Sequence, residues 1–201
     1  MSKISKILIG THNKGKFKEL SYLLPENLKK ITPKSIGIRS PKETGKTFSA
    51  NSKLKVNYFY KRSKIVSISD DSGLSINCLG GRPGINSARW AIKNGGFKNA
   101  MKKILLMIDK KNINKKKKNR KAIFVCSLSL RLSNSKLVIA EGKIKGKISK
   151  KIIGKNGFGY DPIFIPNNYK LTFGQMSKKK KMLMDHRFIA FKKLRKKINI
   201  F

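Results

Sequence analysis

Apolar residues follow a regular pattern along the chain, in which short continuous runs alternate with segments where they recur every three or four positions. This difference separates strands from helices, because side chains repeat every 3.6 residues in an α-helix and every two in a strand. The runs that predict strands lie at 4–9, 65–69, 74–79, 122–132, 137–147 and 163–165, with a shorter one within 30–46. The segments that predict helices lie at 16–24, 47–61, 100–108 and 186–197. Alternating strands and helices, with one hairpin around 133–135, predict an α/β fold with a mixed sheet.

The length of the chain, 201 residues, suits one domain of moderate size, so we predict a single domain with two lobes over 1–201. No apolar run approaches the roughly 18 residues that a membrane-spanning helix needs. The first residues do not have the pattern of a signal peptide. Cys78 and Cys126 lie in apolar strand-like segments, which favours buried thiols over a disulfide. These features predict a cytoplasmic protein without a membrane partner.

Basic residues greatly outnumber acidic ones, with 49 Lys and Arg against 9 Asp and Glu and a formal net charge of +40. Such a charge favours nucleic acid as a partner, so a basic nucleic-acid-binding protein without catalytic activity is the alternative function. The basic residues are mostly lysines spread over nearly the whole chain, including 115–118 in a predicted connector at 112–120. A biased genome base composition also produces abundant Lys, Ile and Asn. We therefore expect a solvated lysine-rich surface that binds nucleic acid at most incidentally, at low salt.

The scarcity of acidic residues makes the adjacent pair Asp70-Asp71 informative, because like charges side by side repel unless a cation is present. Mg²⁺ is typically held by one or two carboxylates together with substrate phosphates. Asp70 is therefore a candidate metal ligand, and Asp71 is a candidate base for an attacking water. Glu43 is a candidate second metal ligand. The alternatives are an Asp-rich turn for the pair and an ordinary surface-loop residue for Glu43.

Residues 10–16, Gly-Thr-His-Asn-Lys-Gly-Lys, lie between the first predicted strand and the first predicted helix. A turn of this kind directs backbone N–H groups and the positive end of a helix at one point, which suits a phosphate group. The sequence is not the G-x-x-x-x-G-K-[ST] pattern of the P-loop, and an ordinary strand–helix turn is the alternative. The candidate phosphate-binding residues are Thr11, His12, Asn13, Lys14, Gly15 and Lys16.

Two later segments carry groups that suit a nucleobase. In 157–162, Gly-Phe-Gly-Tyr-Asp-Pro, the glycines allow close approach of the backbone and two aromatic rings can stack on a base. Asp161 in the same segment can accept a hydrogen bond. In 185–187, Asp-His-Arg, the last two residues are donors that suit a keto oxygen. The alternatives are a glycine–aromatic turn before a strand and a structural helix start.

Taken in order, these segments resemble the inosine triphosphate pyrophosphatase family, also called the dITP/XTP pyrophosphatases, from Ile7 to Leu194. The matching pieces are the opening phosphate loop at 11–16, the Glu-Thr-Gly-x-Thr-Phe segment at 43–48, the central signature at 70–74, 79–85 and 87–89, the Gly-Phe-Gly-Tyr-Asp-Pro-Ile-Phe segment at 157–164, and the closing pair His186-Arg187. Their common order and spacing over nearly the whole chain make chance similarity a poor explanation.

The resemblance implies an α/β fold with two lobes, a long twisted mixed sheet flanked by helices, and an active site in a central cleft. It also implies a homodimer, an Mg²⁺ cofactor, and hydrolysis of aberrant purine nucleoside triphosphates (ITP, dITP, XTP) to the monophosphate and pyrophosphate. By the same resemblance Asp71 would be the general base, with Glu43 and Asp70 as metal ligands. The residues that would bind phosphates are Thr11, Asn13, Lys16, Lys55 and Ser72, and those that would bind the base are Phe158, Gly159, Tyr160, Asp161, Lys181, His186 and Arg187.

Three positions depart from the family pattern. Ala50 and Gln175 stand where the family usually has glutamate, and Asp185 stands where it has serine. The first two changes remove carboxylates that lie outside the implied metal ligands. Asp185 could pair with a neighbouring basic residue and alter how the base is bound. A further alternative keeps the fold but changes the chemistry, to nucleotide binding alone or to hydrolysis of modified pyrimidine nucleotides.

Overall fold

The computed structural model describes residues 4–115 and 118–198 of the chain. Within these residues the strands are β1 (Lys6–Ile9), β2 (Lys29–Ile31), β3 (Ser67–Ile76), β4 (Lys121–Arg131), β5 (Leu137–Ile148) and β6 (Phe164–Pro166). The helices are α1 (Lys14–Leu23), α2 (Phe48–Ser63), α3 (Ser87–Lys93), α4 (Phe97–Asn112), α5 (Lys178–Met182) and α6 (His186–Lys196). Two predictions lie partly outside the described residues, those on the signal peptide (1–3) and on the lysine run (116 and 117).

The described strands form one sheet in the order β2-β1-β3-β4-β5-β6. β1 pairs in parallel with both of its neighbours, with Leu8 opposite Ile31 and Ser67, whereas β5 and β6 are antiparallel. The predicted α/β fold with a mixed sheet flanked by helices is therefore confirmed. The predicted hairpin is confirmed as well, because β4 and β5 are neighbours in the sheet and are joined by 132–136.

The chain divides into two compact units, each with its own apolar core. Within the described residues, the first unit comprises 4–71, 126–142 and 186–198, and the second comprises 72–115, 118–125 and 143–185. The core of the first unit includes Ile7, Ile9, Leu20, Leu128 and Leu194. The core of the second unit includes Leu74, Ile104, Phe124, Phe164 and Phe173. That residues 1–201 act as a single nucleotide pyrophosphatase domain stays a prediction.

Side-chain caps fix where the first two helices begin. The Oδ1 atom of Asn13 accepts a hydrogen bond from the backbone N–H of Lys16 at 3.0 Å, and α1 starts directly after Asn13. Thr47 Oγ1 accepts from the backbone N–H of Ala50 at 3.0 Å at the start of α2. Such caps satisfy N–H groups that have no partner inside the helix. Both starts lie within two residues of the positions predicted from the apolar pattern.

The structure corrects three predicted elements. The segments predicted as a strand at 65–69 and a separate extended piece at 74–79 form one continuous strand, β3. The alternative prediction of an Asp-rich turn between them is wrong, because Asp70 and Asp71 lie within the strand and are buried. Helices α3 and α5 were not predicted, since seven and five residues are too few for an apolar repeat to stand out. Helix α4 is longer than the predicted 100–108 and begins directly after Gly96.

Both cysteines are thiols, and the predicted burial is confirmed for Cys126, whereas Cys78 is only half-buried. Burial raises the pKa of the Cys78 thiol. None of the helices in the described residues combines the length and the apolar character that crossing a bilayer requires.

Candidate active site

The two adjacent aspartates lie side by side in the interior of β3 and are almost completely buried. Successive side chains of a strand point to opposite faces, so Asp70 and Asp71 have different hydrogen-bond partners. Burying a carboxylate is costly unless it is paired or hydrogen-bonded. The two side chains are stabilised in different ways, and this gives them different acidities.

Asp70 is held as a carboxylate by two basic side chains. Its Oδ2 atom accepts a hydrogen bond from Nη2 of Arg187 at 3.0 Å and lies 3.2 Å from Nζ of Lys16. Burial alone would raise the pKa of Asp70, but the charges of Lys16, Arg187 and Lys55 outweigh it and hold the pKa well below the usual carboxyl value. The other oxygen, Oδ1, is buried and accepts no hydrogen bond within the described residues.

Arg187 is one of the most deeply buried side chains, with 1% of its surface exposed. Besides Asp70, its guanidinium contacts Glu19 through Nη1. Sequence reasoning missed Glu19. The signal was available, since Glu19 is one of only nine acidic residues and lies one helical turn after Lys16. The guanidinium therefore holds the carboxylate of Asp70 in place. Recognition of a nucleobase by Arg187 stays a prediction.

Asp71 has a donor in the neutral side chain of Asn51, whose Nδ2 group donates to Oδ2 at 3.0 Å. Burial raises the pKa of Asp71, and the nearby charges of Lys55 and Lys16 offset this effect only in part. Functional bases often have a raised pKa of this origin, because it brings them closer to the working pH. The structure thus gives Asp71 the environment of a candidate general base.

Lys55 interacts with the carboxylates of both predicted metal ligands and of the predicted base. Its Nζ atom donates to Oε1 of Glu43 at 2.8 Å. Burial lowers the pKa of Lys55, but the charges of Asp70, Glu43 and Asp71 together raise it above the ordinary lysine value. All three carboxylates therefore act on one buried ammonium group. Only the family resemblance predicted that residues 43, 55 and 70 lie together, and the structure brings them close to one another.

The predicted phosphate-binding loop lies at the end of β1 and runs into the start of α1. The backbone N–H of Asn13 donates to Oγ1 of Thr11 at 3.2 Å, while Nδ1 of His12 lies 2.7 Å from Oγ of Ser40. His12, Asn13 and Lys14 are exposed, and Thr11, Gly15 and Lys16 are half-buried. The loop thus presents polar groups and the positive end of α1 close to Lys16, whose ammonium group contacts Asp70.

The predicted base-binding residues of the second unit form a separate, tightly bonded group. Oδ2 of Asp161 accepts hydrogen bonds from the backbone N–H of Phe158 at 2.8 Å and from Nζ of Lys181 at 2.6 Å. The same Nζ atom lies 4.8 Å from the centre of the Phe158 ring. Gly157 has a φ of +73°, and a Cβ there would lie 2.1 Å from Oδ2 of Asp161. Lys181 is 3% exposed, which is unusual for a lysine and is possible here because Asp161 pairs with its charge.

Tyr160 belongs to the core of the second unit, with 3% of its surface exposed. Its hydroxyl donates to the carbonyl oxygen of Ser87 at 2.9 Å, and Phe97 packs edge-on against its ring at 5.1 Å between centroids. Burial raises the pKa of the Tyr160 phenol. The tyrosine supports the loop that carries Phe158 and half-buried Gly159, and its own stacking on a base stays a prediction.

The remaining predicted residues lie at the borders of the two units. Ser72 is half-buried and begins the second unit directly after Asp71. Asp185 ends the second unit, and His186 begins α6 in the first; both are buried. The binding roles of Ser72 and His186 stay predictions.

Two of the departures from the family pattern lie in the described residues as follows. Ala50 is exposed, and Oε1 of Gln175 accepts a hydrogen bond from the backbone N–H of Thr172 at 3.0 Å.

Comparison with known proteins gives this arrangement a family. The model of the Ham1 family matches residues 7–197. The chain belongs to the Ham1 family. Relatives named dITP/XTP pyrophosphatase include one from Caulobacter vibrioides, 38% identical over 95% of this chain and 96% of that protein. Another, from Clostridium tetani, is 36% identical over 97% of this chain and 96% of that protein.

Solved Ham1 structures have the same fold. A HAM1 protein from Coxiella burnetii superposes with a TM-score of 0.84 at 30% identity, covering 95% of this chain and 96% of that one. The Ham1 protein of Staphylococcus aureus gives a TM-score of 0.77 at 33% identity with the same coverage. The family resemblance predicted from the order of the sequence segments is therefore confirmed.

Proposed function

We propose that this Ham1 family member is a nucleoside triphosphate pyrophosphatase that hydrolyses aberrant purine nucleotides such as dITP, XTP and ITP. The products would be the nucleoside monophosphate and pyrophosphate. The names of relatives that match almost the whole chain support the activity. The observation that carries the proposal is the group of three carboxylates, Glu43, Asp70 and Asp71, around the buried ammonium of Lys55.

The donor set suits Mg²⁺ as the proposed cofactor. The described residues contain no group of three or more His, Cys, Asp or Glu side chains arranged to hold a metal. Mg²⁺ does not require one, because it is commonly bound by one or two carboxylates, water and substrate phosphates. Nearby positive charges hold the pKa of Asp70 well below the usual carboxyl value, and one of its oxygens is buried and accepts no hydrogen bond within the described part of the chain. We therefore propose Asp70 and Glu43 as ligands, and bound Mg²⁺ would neutralise the triphosphate and the leaving pyrophosphate.

The side chains of the first unit supply the remaining chemistry. Lys16 and Lys55 place positive charge beside Asp70 and Asp71, where a polyphosphate would bring negative charge. Asp71 accepts a proton from the attacking water, and general-base catalysis of this kind contributes about 10²–10⁴-fold. The water attacks the α-phosphorus, and the bond from that phosphorus to the bridging oxygen breaks. Pyrophosphate leaves with that oxygen.

Selectivity for the base is proposed to come from donors that face the purine 6-position. Hypoxanthine and xanthine carry a 6-keto oxygen that accepts a hydrogen bond, whereas the 6-amino group of adenine would leave a buried donor unpaired. Lys181 and His186 are the proposed donors, and Phe158 offers a ring face for stacking. Guanine also has a 6-keto oxygen, so its rejection requires a steric clash at the 2-amino group.

Two further parts of the proposal concern the setting of the enzyme. We propose a homodimer in the cytoplasm, in keeping with the family resemblance and with two reduced thiols. Cytoplasmic proteins generally keep their cysteines reduced. The proposed physiological role is removal of aberrant purine nucleotides from the nucleotide pool.

A pyrophosphate-release assay tests the proposed function directly. The assay compares ITP, XTP, dITP, GTP and ATP, each with Mg²⁺ and with excess chelator. We expect release from the first three at rates well above those for GTP and ATP, and only with Mg²⁺. The variant Asp71→Asn should lose at least about 10²-fold in turnover and still bind nucleotide. Equal activity on all five nucleotides, or turnover by Asp71→Asn within a few-fold of wild type, would contradict the proposal.

A further inference from the structure

Asn51 is a fully buried polar side chain in the first turns of α2, and both ends of its amide are used. Its Nδ2 group donates to Oδ2 of Asp71 at 3.0 Å, and its Oδ1 atom accepts from the backbone N–H of Gly45 at 2.7 Å. A buried amide is costly unless it is hydrogen-bonded. Here one amide satisfies that requirement by joining two segments that are 26 residues apart in the chain.

The two partners of Asn51 fix the orientation of its amide. The N–H of Gly45 can only donate and therefore requires the amide oxygen. The carboxylate of Asp71 accepts hydrogen bonds and therefore takes the amide nitrogen. An aspartate of the same size at position 51 would still accept from Gly45, but it would present an oxygen rather than a donor to Asp71. The position thus distinguishes two isosteric side chains by their chemistry.

The loop that carries Glu43 lies in close contact with Asn51. A Cβ on Gly45 would lie 2.6 Å from Oδ1 of Asn51 and 2.9 Å from its backbone nitrogen, so this approach requires glycine. Lys55, four residues later on the same helix, holds the carboxylate of Glu43. Residues four apart lie on one face of a helix. One face of α2 therefore fixes the loop twice, at the backbone of Gly45 and at the side chain of Glu43.

The helix itself is attached to the sheet at the next residue. Oγ of Ser52 lies 3.0 Å from Oγ of Ser127 and 2.8 Å from Oγ of Ser129, both on β4, and all three side chains are fully buried. This hydroxyl cluster connects α2 to β4. Ser52 is as deeply buried as Asn51, but its hydroxyl contacts the two serines of β4 and donates to the carbonyl oxygen of Ser49 at 3.1 Å.

We propose that Asn51 is a positioning residue that holds Asp71, the proposed general base, in a fixed relation to the loop carrying Glu43. This inference rests on the proposed function. The amide stops the carboxylate of Asp71 from rotating about its Cβ–Cγ bond. A correctly oriented base accelerates proton transfer only when the geometry of attack is maintained. Loss of the amide should therefore reduce kcat more than it changes KM.

The test compares Asn51→Ala, Asn51→Asp and the control Ser52→Ala in the full-length protein, with ITP and Mg²⁺. We expect both Asn51 variants to lose at least about 30-fold in kcat, with KM within about threefold of wild type, because general-base catalysis is worth about 10²–10⁴-fold. Ser52→Ala removes buried hydrogen bonds from the same helix and should keep kcat within about threefold. Thermal unfolding of each variant separates a loss of folded protein from a loss of catalysis.

Asn51→Asp decides between positioning the base and merely fixing the loop, because it keeps the size of the side chain and the acceptor for Gly45. If Asn51→Asp keeps kcat near wild type, or if its whole loss lies in KM, the inference is overturned even when Asn51→Ala does not fold. The proposed function survives that result, since the wild type and Ser52→Ala still release pyrophosphate. An inactive wild type would overturn both the inference and the proposed function.

Discussion

At the scale of single residues, Asp70 and Asp71 show how environment separates two identical side chains. Burial raises the pKa of both, but Lys16 and Arg187 outweigh it at Asp70, whereas burial prevails at Asp71. Pairs of titratable groups with pKa values shifted apart often divide the work of an active site. Here the arrangement suits one carboxylate that stays ionised and one that exchanges a proton.

The depressed pKa of Asp70 predicts how stability depends on pH. A carboxyl group whose pKa is lower in the folded state stabilises the fold above its unfolded pKa of about 3.9, and this contribution disappears as the pH falls below that value. We expect the free energy of unfolding to decrease as the pH falls from about 5 towards 3. Urea unfolding at several pH values measures this dependence.

The matched variant for this measurement is Asp70→Asn, which keeps the size of the side chain but has no titrating group. Its free energy of unfolding should be lower than that of wild type at pH 7, because Arg187 loses a charged partner in the core. Its slope between about pH 5 and 3 should be shallower than that of wild type. The same slope in both proteins would show that Asp70 is not the group responsible.

The residues that sequence reasoning missed share one property. Asn51 and Glu19 act through partners that are distant in the chain, Asp71 and Arg187 respectively. The scarcity of acidic residues singles out Glu19, but no local pattern around either residue identifies its buried partner. The glycine-rich loops and the adjacent aspartates, by contrast, are local patterns and could be found from the sequence.

At the scale of secondary structure, the predictions depended on apolar periodicity, which found each described helix of ten residues or more but missed several residues at both ends of α4. Helices α1, α2 and α6 and strands β4 and β5 agree closely with the predicted ranges. The interior of β3 was misjudged, because Asp-Asp-Ser-Gly is typical of a turn and only the tertiary ion pairs make it tolerable in a strand. The preference of these residues for a turn was therefore outweighed by ion pairs with residues distant in the chain.

The start of α2 gives a prediction at this scale. Thr47→Ala removes the cap on the backbone N–H of Ala50 and should lower the free energy of unfolding by about 1 kcal/mol. Thr44→Ala in the preceding exposed loop serves as the control and should change it by less than about 0.5 kcal/mol. Chemical denaturation of both variants measures the difference. Equal stability of the two variants would mean that the cap does not stabilise the helix.

At the scale of the whole molecule, the charge distribution is uneven between interior and surface. Five of the nine acidic residues are buried, namely Glu19, Asp70, Asp71, Asp161 and Asp185. The fold thus uses most of its negative charge inside the two units, and few acidic side chains remain to balance the surface lysines.

The surface charge predicts binding to RNA that depends steeply on salt. Binding through phosphate contacts alone loses about 10³-fold or more in affinity between 50 and 200 mM salt. We expect measurable binding of a short unstructured RNA at low salt and almost none at physiological salt, by fluorescence anisotropy. Tight binding that persists at physiological salt would instead favour the nucleic-acid-binding alternative.

In the proposed reaction, Asp71 directs water to the α-phosphorus of a purine nucleoside triphosphate. The most direct measurement is hydrolysis of ITP with Mg²⁺ in water labelled with heavy oxygen, followed by mass spectrometry of the products. We expect label in the monophosphate and unlabelled pyrophosphate. Label in pyrophosphate, or orthophosphate as the first product, would contradict it.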